Sequence, residues 1–295
     1  RAQLMREWGK FLEFSYNWDW SVLLCTVEDV EIGCIAPYFY WIVEGFGWTI
    51  AVASAAWVIA FSWGSFIGIL RTLEAPIWLV VPFLKPSMKY KSSVIETGNG
   101  AVMINIGWFL HGFATVYVTI FRNIPLLVQM FLWYFVLPEV VSKEAGMWLK
   151  REMPLPEYWT AVACLGLYTA SRVGEAVRAG INSITQGQHY AAMAIGLTRV
   201  QVYRCVLLPV AYRIIIPPLT SDFLGIFKNS SLALTIGVLE LTAMTRQIDE
   251  YSYQTFEAFT AATVLYILVT AIVMFAMRIV EGRVAIPGMI SLGAK

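Results

Sequence analysis

Two polar stretches interrupt an otherwise apolar sequence, and their side chains could bind a charged ligand. The segment TASRVGEAVRAG (169–180) carries Arg172 and Glu175, which lie three residues apart and so share a helix face. An ionisable group at membrane depth is costly and usually faces a pathway or a partner, and the planar fork of arginine suits a carboxylate. Contact with a ligand is one interpretation; mutual neutralisation, or a position at the membrane boundary, is the other.

The second polar stretch, IFKNSSLALTIG (226–237), places Lys228, Asn229, Ser230 and Ser231 in a row. These four side chains could receive the carboxylate and amine of an amino acid. The alternative is that Asn229 or a serine caps the helix that follows, which is a common role for these residue types. The chemistry alone favours the cap.

No catalytic motif accompanies these polar residues. The only Gly-Lys pair, Gly9-Lys10, lacks the upstream glycine that a phosphate-binding loop requires, so any nucleotide-driven work must be done by another chain. No Gly-x-Ser-x-Gly motif is present. Two histidines and four scattered cysteines indicate no metal site. The chain by itself is therefore predicted not to be an enzyme.

The composition places the polar stretches in an integral membrane protein. Of the 295 residues, 58% are hydrophobic and only 14% are charged, and the mean hydropathy is +0.65. Soluble domains lie closer to half apolar and a quarter charged. The net charge of +1 argues against a nucleic-acid partner. We predict an all-α fold in contact with membrane lipid.

Apolar runs long enough to cross a bilayer predict about five transmembrane helices. The predicted spans are 45–70, 125–137 with its upstream extension, 158–177, 205–227 and 256–280. The lysines and arginines of the short loops favour the cytoplasm, which places the N-terminus outside and the C-terminus inside. Three regions follow from this pattern: an extramembrane or interfacial segment 1–44, a transmembrane domain 45–283 and a tail 284–295.

Residues 72–120 fit this pattern poorly and are treated as an inserted segment. The parity of the spans requires either no crossing or two crossings within it. Its first apolar piece contains Pro76 and Pro82, which disfavour a helix interior. We expect no extra crossing here, so that the second apolar piece, 101–121, lies along the cytoplasmic face or extends the second span.

A polar elbow between the third and fourth spans holds no reactive group. The segment AAMAIGLTRVQVYRCVLLP (191–209) predicts two short helical pieces hinged at Gly196, and it overlaps the predicted cytoplasmic coupling loop 178–204. Small and basic residues characterise this elbow. They are Ala191, Ala192, Ala194, Gly196, Arg199 and Arg204.

The ordered motifs of the chain resemble the permease subunit of a polar amino-acid ABC importer, a family with the type I, MetI-like fold. Ala191-Ala192, Gly196 and the Leu-Pro pair at 208–209 keep the spacing of that family's elbow motif. Three further segments match its FRxxPLLVQ, RxGIxSIxxGQ and KNSSLA patterns; they are 121–129, 178–188 and 228–233. The resemblance covers 45–71 and 121–283, and SRVGE (171–175) is most similar to the glutamate/aspartate branch.

The resemblance implies a mechanical task for the elbow, whose six residues would form a coupling helix resting on a separate ATP-binding subunit. Two permease chains, identical or related, would pair across a central path. Two ATP-binding subunits would carry the ATP and Mg²⁺, and a periplasmic binding protein would deliver the amino acid to the inner membrane of a bacterium. The substrate would be acidic, with Arg172 as its carboxylate partner, Glu175 beside it and Lys228 to Ser231 as supporting donors.

Two departures and two alternatives accompany this expectation. Tyr190 stands where the family usually has Glu, which removes one contact to the ATPase, and 72–120 is longer than the usual connection. A self-contained secondary transporter would need inverted repeats and its own coupling-ion site, which the span pattern does not show. A membrane scaffold or channel subunit would leave the spacing of the elbow unexplained.

Overall fold

The computed structural model describes Tyr16, 18–24, 38–73, 78–82, 94–97 and 101–284. Most of these residues are helical, and we number the helices in chain order. The helices are α1 (Tyr38–Leu70), α2 (Ile106–Asn123), α3 (Leu126–Phe131), α4 (Leu137–Val140), α5 (Lys143–Met147), α6 (Pro156–Asn182), α7 (Gln186–Ala194), α8 (Arg199–Val202), α9 (Leu208–Asn229), α10 (Leu241–Ser252) and α11 (Thr255–Val284). Short 3-10 helices occupy Trp20–Leu24 and Ser230–Ile236, and π-helical turns occupy Leu132–Val136, Trp148–Glu152 and Tyr203–Leu207.

A small antiparallel sheet interrupts the helices inside the segment 72–120. Its strands are β1 (Trp78–Pro82), β2 (Val94–Thr97) and β3 (Ala101–Asn105), in the order β1-β3-β2. Trp78 pairs with Asn105 and Val94 with Ile104. Strand β3 leads straight into α2. The second apolar piece of the segment divides into strand β3 and helix α2, and α2 joins the second predicted span across a break.

The break between α2 and α3 follows from Pro125. Proline has no backbone N–H and disfavours helical geometry at the residue before it, and the two helical stretches 107–123 and 126–140 meet at a bend of 107°. The side chain of Gln129 bridges the bend, since its Nε2 donates to the carbonyl oxygens of Phe121 (2.9 Å) and Ile124 (2.8 Å). These carbonyls would otherwise lack partners at the end of α2.

Three helices of the described residues are long and apolar enough to cross a membrane: Tyr38–Leu70, Arg199–Ile236 and Thr255–Val284. The bent pair 107–123 and 126–140 reaches the same standard when its two halves are taken together. Helix α6, the predicted span 158–177, is more polar because of its charged residues, and it packs along α1 from Trp48 to Gly68. This arrangement agrees with the predicted fold of about five membrane helices.

Glycines allow α1 and α6 to pack with their backbones in close contact. A Cβ added to Gly64 would lie 2.7 Å from the carbonyl oxygen of Ala170, and one added to Gly68 would lie 2.6 Å from that of Gly174. Small residues are the usual means by which membrane helices approach closely. Because Gly166 contacts Ala56 while Gly68 contacts Gly174, the two helices run in the same direction.

The ends of the helices define two sides of the bundle. Helices α1 and α6 end on the side that carries α7 and α8, which we call the elbow side. Helix α9 runs back from the elbow, since Gly180 near the end of α6 packs against Ala211 and Ile215 near the start of α9. Helix α11 returns to the elbow side, where Glu281 accepts a hydrogen bond from Thr220 (2.8 Å). The start of α1 and the end of α11 therefore lie on opposite sides.

Polar contacts join the elements on the side away from the elbow. Glu240 is fully buried and caps α10, accepting from the backbone N–H groups of Thr242 (3.0 Å) and Ala243 (2.9 Å) and from the hydroxyl of Tyr266 (3.0 Å). Burial raises the pKa of Glu240 above its ordinary value. Asp19 donates its backbone N–H to Glu257 at the start of α11 (2.7 Å), which fixes the short 3-10 helix there.

Candidate functional site

One ion pair joins α6 to α9. Nε of Arg172 donates to Oδ1 of Asp222 at 2.7 Å. The side chain of Arg172 is 53% exposed, whereas that of Asp222 is 7% exposed. Arg172 therefore does not neutralise Glu175, as one interpretation of the sequence supposed. Sequence reasoning missed Asp222, although a lone carboxylate inside an apolar span was a sufficient signal to consider it.

Glu175 belongs to a second charged cluster, one turn closer to the elbow. It accepts hydrogen bonds from Arg71 at the end of α1 and from Arg178, whose Nε lies 3.1 Å away. Nη1 of Arg122, on α2, lies 3.7 Å from the same carboxylate. Three cations around one carboxylate leave an excess of positive charge, and Glu175 thereby ties α1, α2 and α6 together.

The row from Lys228 to Ser231 lies at the end of α9 and the start of the 3-10 helix. Six residues separate Lys228 from Asp222, which is about 9 Å along a helix axis. Lys228 is exposed. The hydroxyls of Ser230 and Ser231 donate to the carbonyls of Phe227 and Lys228, both at 2.7 Å.

The capping role that the sequence favoured for this row is wrong for Asn229, whose side chain makes no cap hydrogen bond. The reason is that α9 passes directly into the 3-10 helix, so no new helix start with unpaired N–H groups exists there. Lys228 and the side-chain amide of Asn229 are consequently not used for capping. The hydroxyls of Ser230 and Ser231 already donate their hydrogens to backbone carbonyls, so their oxygens can act only as acceptors.

The elbow has the predicted form of two short helices hinged at Gly196. Helix α7 ends at Ala194, Gly196 adopts a positive φ of 88°, and α8 starts at Arg199. Positive φ favours glycine because it has no Cβ. A reciprocal capping box then starts α8: the Thr198 N–H donates to Oε1 of Gln201 (2.8 Å), and the Gln201 N–H donates to the Thr198 hydroxyl (3.4 Å).

One face of the elbow is apolar and exposed, and we call it the elbow surface. Its members are Tyr190 (63% exposed), Met193 (43%), Ile195 (78%) and Val200 (75%). The predicted contact residues that lie exposed around it are Ala191, Ala194, Gly196, Arg199 and Arg204. Ala192 differs from these, because it is buried against the chain's own core with Val177 and Val202. A contiguous exposed apolar patch usually marks an interaction site.

The long apolar helices, the ion pair between α6 and α9 and the exposed apolar elbow together describe a helical membrane protein. The chain belongs to the family described as binding-protein-dependent transport system inner membrane component, whose model matches residues 98–286. The match begins inside the segment 72–120, so α2 belongs to the family's own part of the chain. The resemblance inferred from the motifs is thereby confirmed, together with the fold of a MetI-like ABC importer permease.

Similar proteins are permease subunits of transport systems. The glutamate/aspartate import permease protein GltJ of Escherichia coli (strain K12) is 41% identical over 283 residues, 95% of this chain and 100% of GltJ. The octopine transport system permease protein OccM of Rhizobium radiobacter is 31% identical over 216 residues, 72% of this chain and 84% of OccM.

Solved structures show the same fold. A chain of an amino acid ABC transporter crystallised with histidines has a TM-score of 0.63 and 24% identity, covering 83% of this chain and 95% of that one. A chain of the MetNI methionine ABC transporter in an inward-facing conformation has a TM-score of 0.61 and 19% identity, covering 84% of this chain and 98% of that one.

Proposed function

We propose that this chain is the permease subunit of an ATP-driven importer of acidic amino acids. The observation that carries the proposal is the side chain of Arg172 on α6, which is 53% exposed while its Nε is held by Asp222 of α9. Arginine binds carboxylates in two-point geometry. The 41% identity to a glutamate/aspartate import permease supports the same substrate class.

The substrate site extends from Arg172 toward the row at the end of α9. An acidic amino acid carries two carboxylates and one ammonium group, and Lys228 offers a second cation on α9, about 9 Å along the axis from Asp222. Asn229 and the Ser231 hydroxyl oxygen provide acceptors for the ammonium group, whereas Ser230 is fully buried and supports the row through its hydrogen bond to Phe227. Glu175 supports the site indirectly, because it holds Arg71 and Arg178 at the next turn of α6.

The elbow surface docks to a separate ATP-binding subunit, which carries the ATP and Mg²⁺. Apolar contact through Ile195 and Val200 supplies the area, while Arg199 and Arg204 pair with acidic groups of the partner. Tyr190, where the family usually has Glu, contributes an aromatic contact instead of a charge. The full complex contains two permease chains, two ATP-binding subunits and a periplasmic binding protein. The elbow side is then cytoplasmic, and α1 begins outside.

The substitution Arg172→Ala tests the substrate site. In proteoliposomes that contain the whole complex and its binding protein, we expect loss of ATP-driven glutamate uptake with normal assembly by size-exclusion chromatography. The matched control is Arg246→Ala, which removes an arginine whose partner is Glu250 on the surface of α10. Glutamate uptake by the Arg172→Ala complex at the level of the control would exclude Arg172 from the site.

The same vesicles separate an ATP-driven importer from the two alternatives. Uptake that requires ATP on the side of the membrane faced by the ATP-binding subunits supports the proposal. Uptake driven by an ion gradient without ATP would identify a secondary transporter. No uptake under either condition would favour a scaffold or channel subunit.

A further inference from the structure

Asp222 is the one carboxylate that pairs with Arg172 among the described residues. It lies on α9, and its side chain is 7% exposed. A buried carboxylate without a cation is strongly unfavourable, so Arg172 stabilises Asp222 in this structure. Asp222 is thus the buried member of the pair, and Arg172 is the exposed member.

The geometry of the pair leaves part of the guanidinium available. The hydrogen bond to Asp222 uses Nε, and within the described part of the chain neither Nη atom has a carboxylate partner. A ligand carboxylate can therefore approach the Arg172 side chain, which is 53% exposed, while Asp222 stays paired with Nε; Tyr168 is a further neighbour of the guanidinium. The two carboxylates would then share one cation, which favours weakening or release of the internal pair.

The neighbouring cluster around Glu175 has more ionic contacts than the Arg172–Asp222 pair. Glu175 has Arg71, Arg178 and Arg122 around it, so the loss of any one contact leaves two. Among the described residues, Arg172 is the one cation that pairs with Asp222, so a change at Arg172 removes this pairing altogether. The Arg172–Asp222 pair is thus the more readily exchanged of the two.

We propose that Asp222 is an internal counterion that competes with the substrate carboxylate for Arg172 and so sets the affinity and specificity for acidic amino acids. The inference rests on the proposed function of Arg172. When Asp222 occupies the guanidinium, only a fraction of the sites is ready for substrate, and the apparent dissociation constant rises by the inverse of that fraction. A neutral ligand that does not require Arg172 is unaffected by this competition. Because this competition weakens binding, it also favours release of the acidic substrate after it has crossed the membrane.

Asp222→Asn is the direct test, since it removes the charge and keeps the shape and one acceptor oxygen. Binding of radiolabelled glutamate and glutamine is measured on the purified permease–ATPase complex without the binding protein. We expect the Kd for glutamate to fall on the order of tenfold, the Kd for glutamine to stay constant, and the rate of glutamate release to fall. An unchanged or higher Kd for glutamate, or equal shifts for both ligands, would overturn the proposal.

The matched control is Glu281→Gln. Glu281 also contacts α9, through Thr220 at 2.8 Å, but it has no arginine partner among the described residues. The same loss of charge at this position should leave both Kd values unchanged. A fall in the Kd for glutamate like that of Asp222→Asn would mean that removing any nearby negative charge suffices. That result would overturn the specific role of Asp222.

A second variant keeps the proposal testable if Asp222→Asn does not assemble. The exchange Arg172→Asp with Asp222→Arg preserves an ion pair between α6 and α9, and it places the carboxylate on the exposed side. We expect assembly with loss of glutamate binding, and glutamate binding at the original Kd would overturn the proposal. The two proposals also fail separately: normal uptake by Arg172→Ala removes the substrate site, whereas loss of that uptake with an unchanged Kd in Asp222→Asn removes only the counterion.

Discussion

The close contact of α1 and α6 makes Gly68 a sensitive position for the whole bundle. A Cβ at Gly68 would lie 2.6 Å from the carbonyl oxygen of Gly174 and 2.6 Å from Cβ of Val177. Ordinary contact begins at 3.4 Å, so the helices would have to separate by about 0.8 Å. A backbone carbonyl has no rotamer through which it can move aside, and the separation must therefore be shared by the neighbouring contact at Gly64.

The expected effect of Gly68→Ala is a net loss of up to about 2.5 kcal/mol. Overpacking of this kind costs about 1–3 kcal/mol, while replacing a helical glycine by alanine returns about 0.5–1 kcal/mol. Gly47→Ala on the same helix is the matched control, because a Cβ there meets nothing within 4 Å. That variant should gain only the helix-propensity contribution.

Thermal unfolding of the purified complex in detergent, followed by the fluorescence of its tryptophans, measures the difference. We expect the unfolding temperature of Gly68→Ala to lie several degrees below that of Gly47→Ala. An unfolding temperature of Gly68→Ala that is no lower than that of the unsubstituted complex would refute the close packing of α1 on α6. A drop of the same size in Gly47→Ala would show that helix α1 tolerates alanine poorly for reasons unrelated to α6.

Two further predictions concern the elbow and the buried carboxylate of α10. Gly196→Ala forces a side chain into a positive φ of 88°, which should cost about 1–2 kcal/mol locally. We expect this variant to show reduced ATP-driven uptake, and Gly187→Ala in α7 is the unstrained control. Equal uptake by the two variants would contradict the role of Gly196 as the hinge. Because burial raises the pKa of Glu240, the folded state binds its proton more tightly than the unfolded state, so this contribution to stability falls as pH rises through that pKa. Glu240→Gln should flatten that dependence in thermal unfolding from pH 4 to 8, and an unaltered slope would contradict the assignment.

The elbow could be predicted from the sequence because its determinants are local. Gly196 supplies the positive φ, and Thr198 and Gln201 form the capping box within four residues. Apolar runs of sufficient length likewise predict membrane helices without knowledge of their neighbours. The burial of Ala192 could not be seen in this way, since it depends on which residues of α6 lie beneath the elbow.

The partners of the charged residues could not be predicted, because they are set by the packing of distant helices. Arg172 and Asp222 are 50 residues apart, and Arg71 and Glu175 are 104 residues apart. Within one helix, the i,i+3 rule correctly joins Glu175 to Arg178 but also allowed the pair of Arg172 with Glu175. Local spacing therefore lists the possible pairs, and the positions of α1 and α9 decide among them.

The positions of the two charged clusters on α6 suggest how a substrate could affect one without loosening the other. Arg172 and Glu175 are three residues apart, about 4.5 Å along the axis. Glu175 joins α1, α2 and α6 through three arginines near the elbow side, whereas Arg172 joins α6 to α9 through one carboxylate. If a substrate displaces Asp222, the constraint that is released is the one between α6 and α9. Helix α9 continues from the elbow through the π-helical turn Tyr203–Leu207, so a change at this pair and a movement of the elbow act on the same helix.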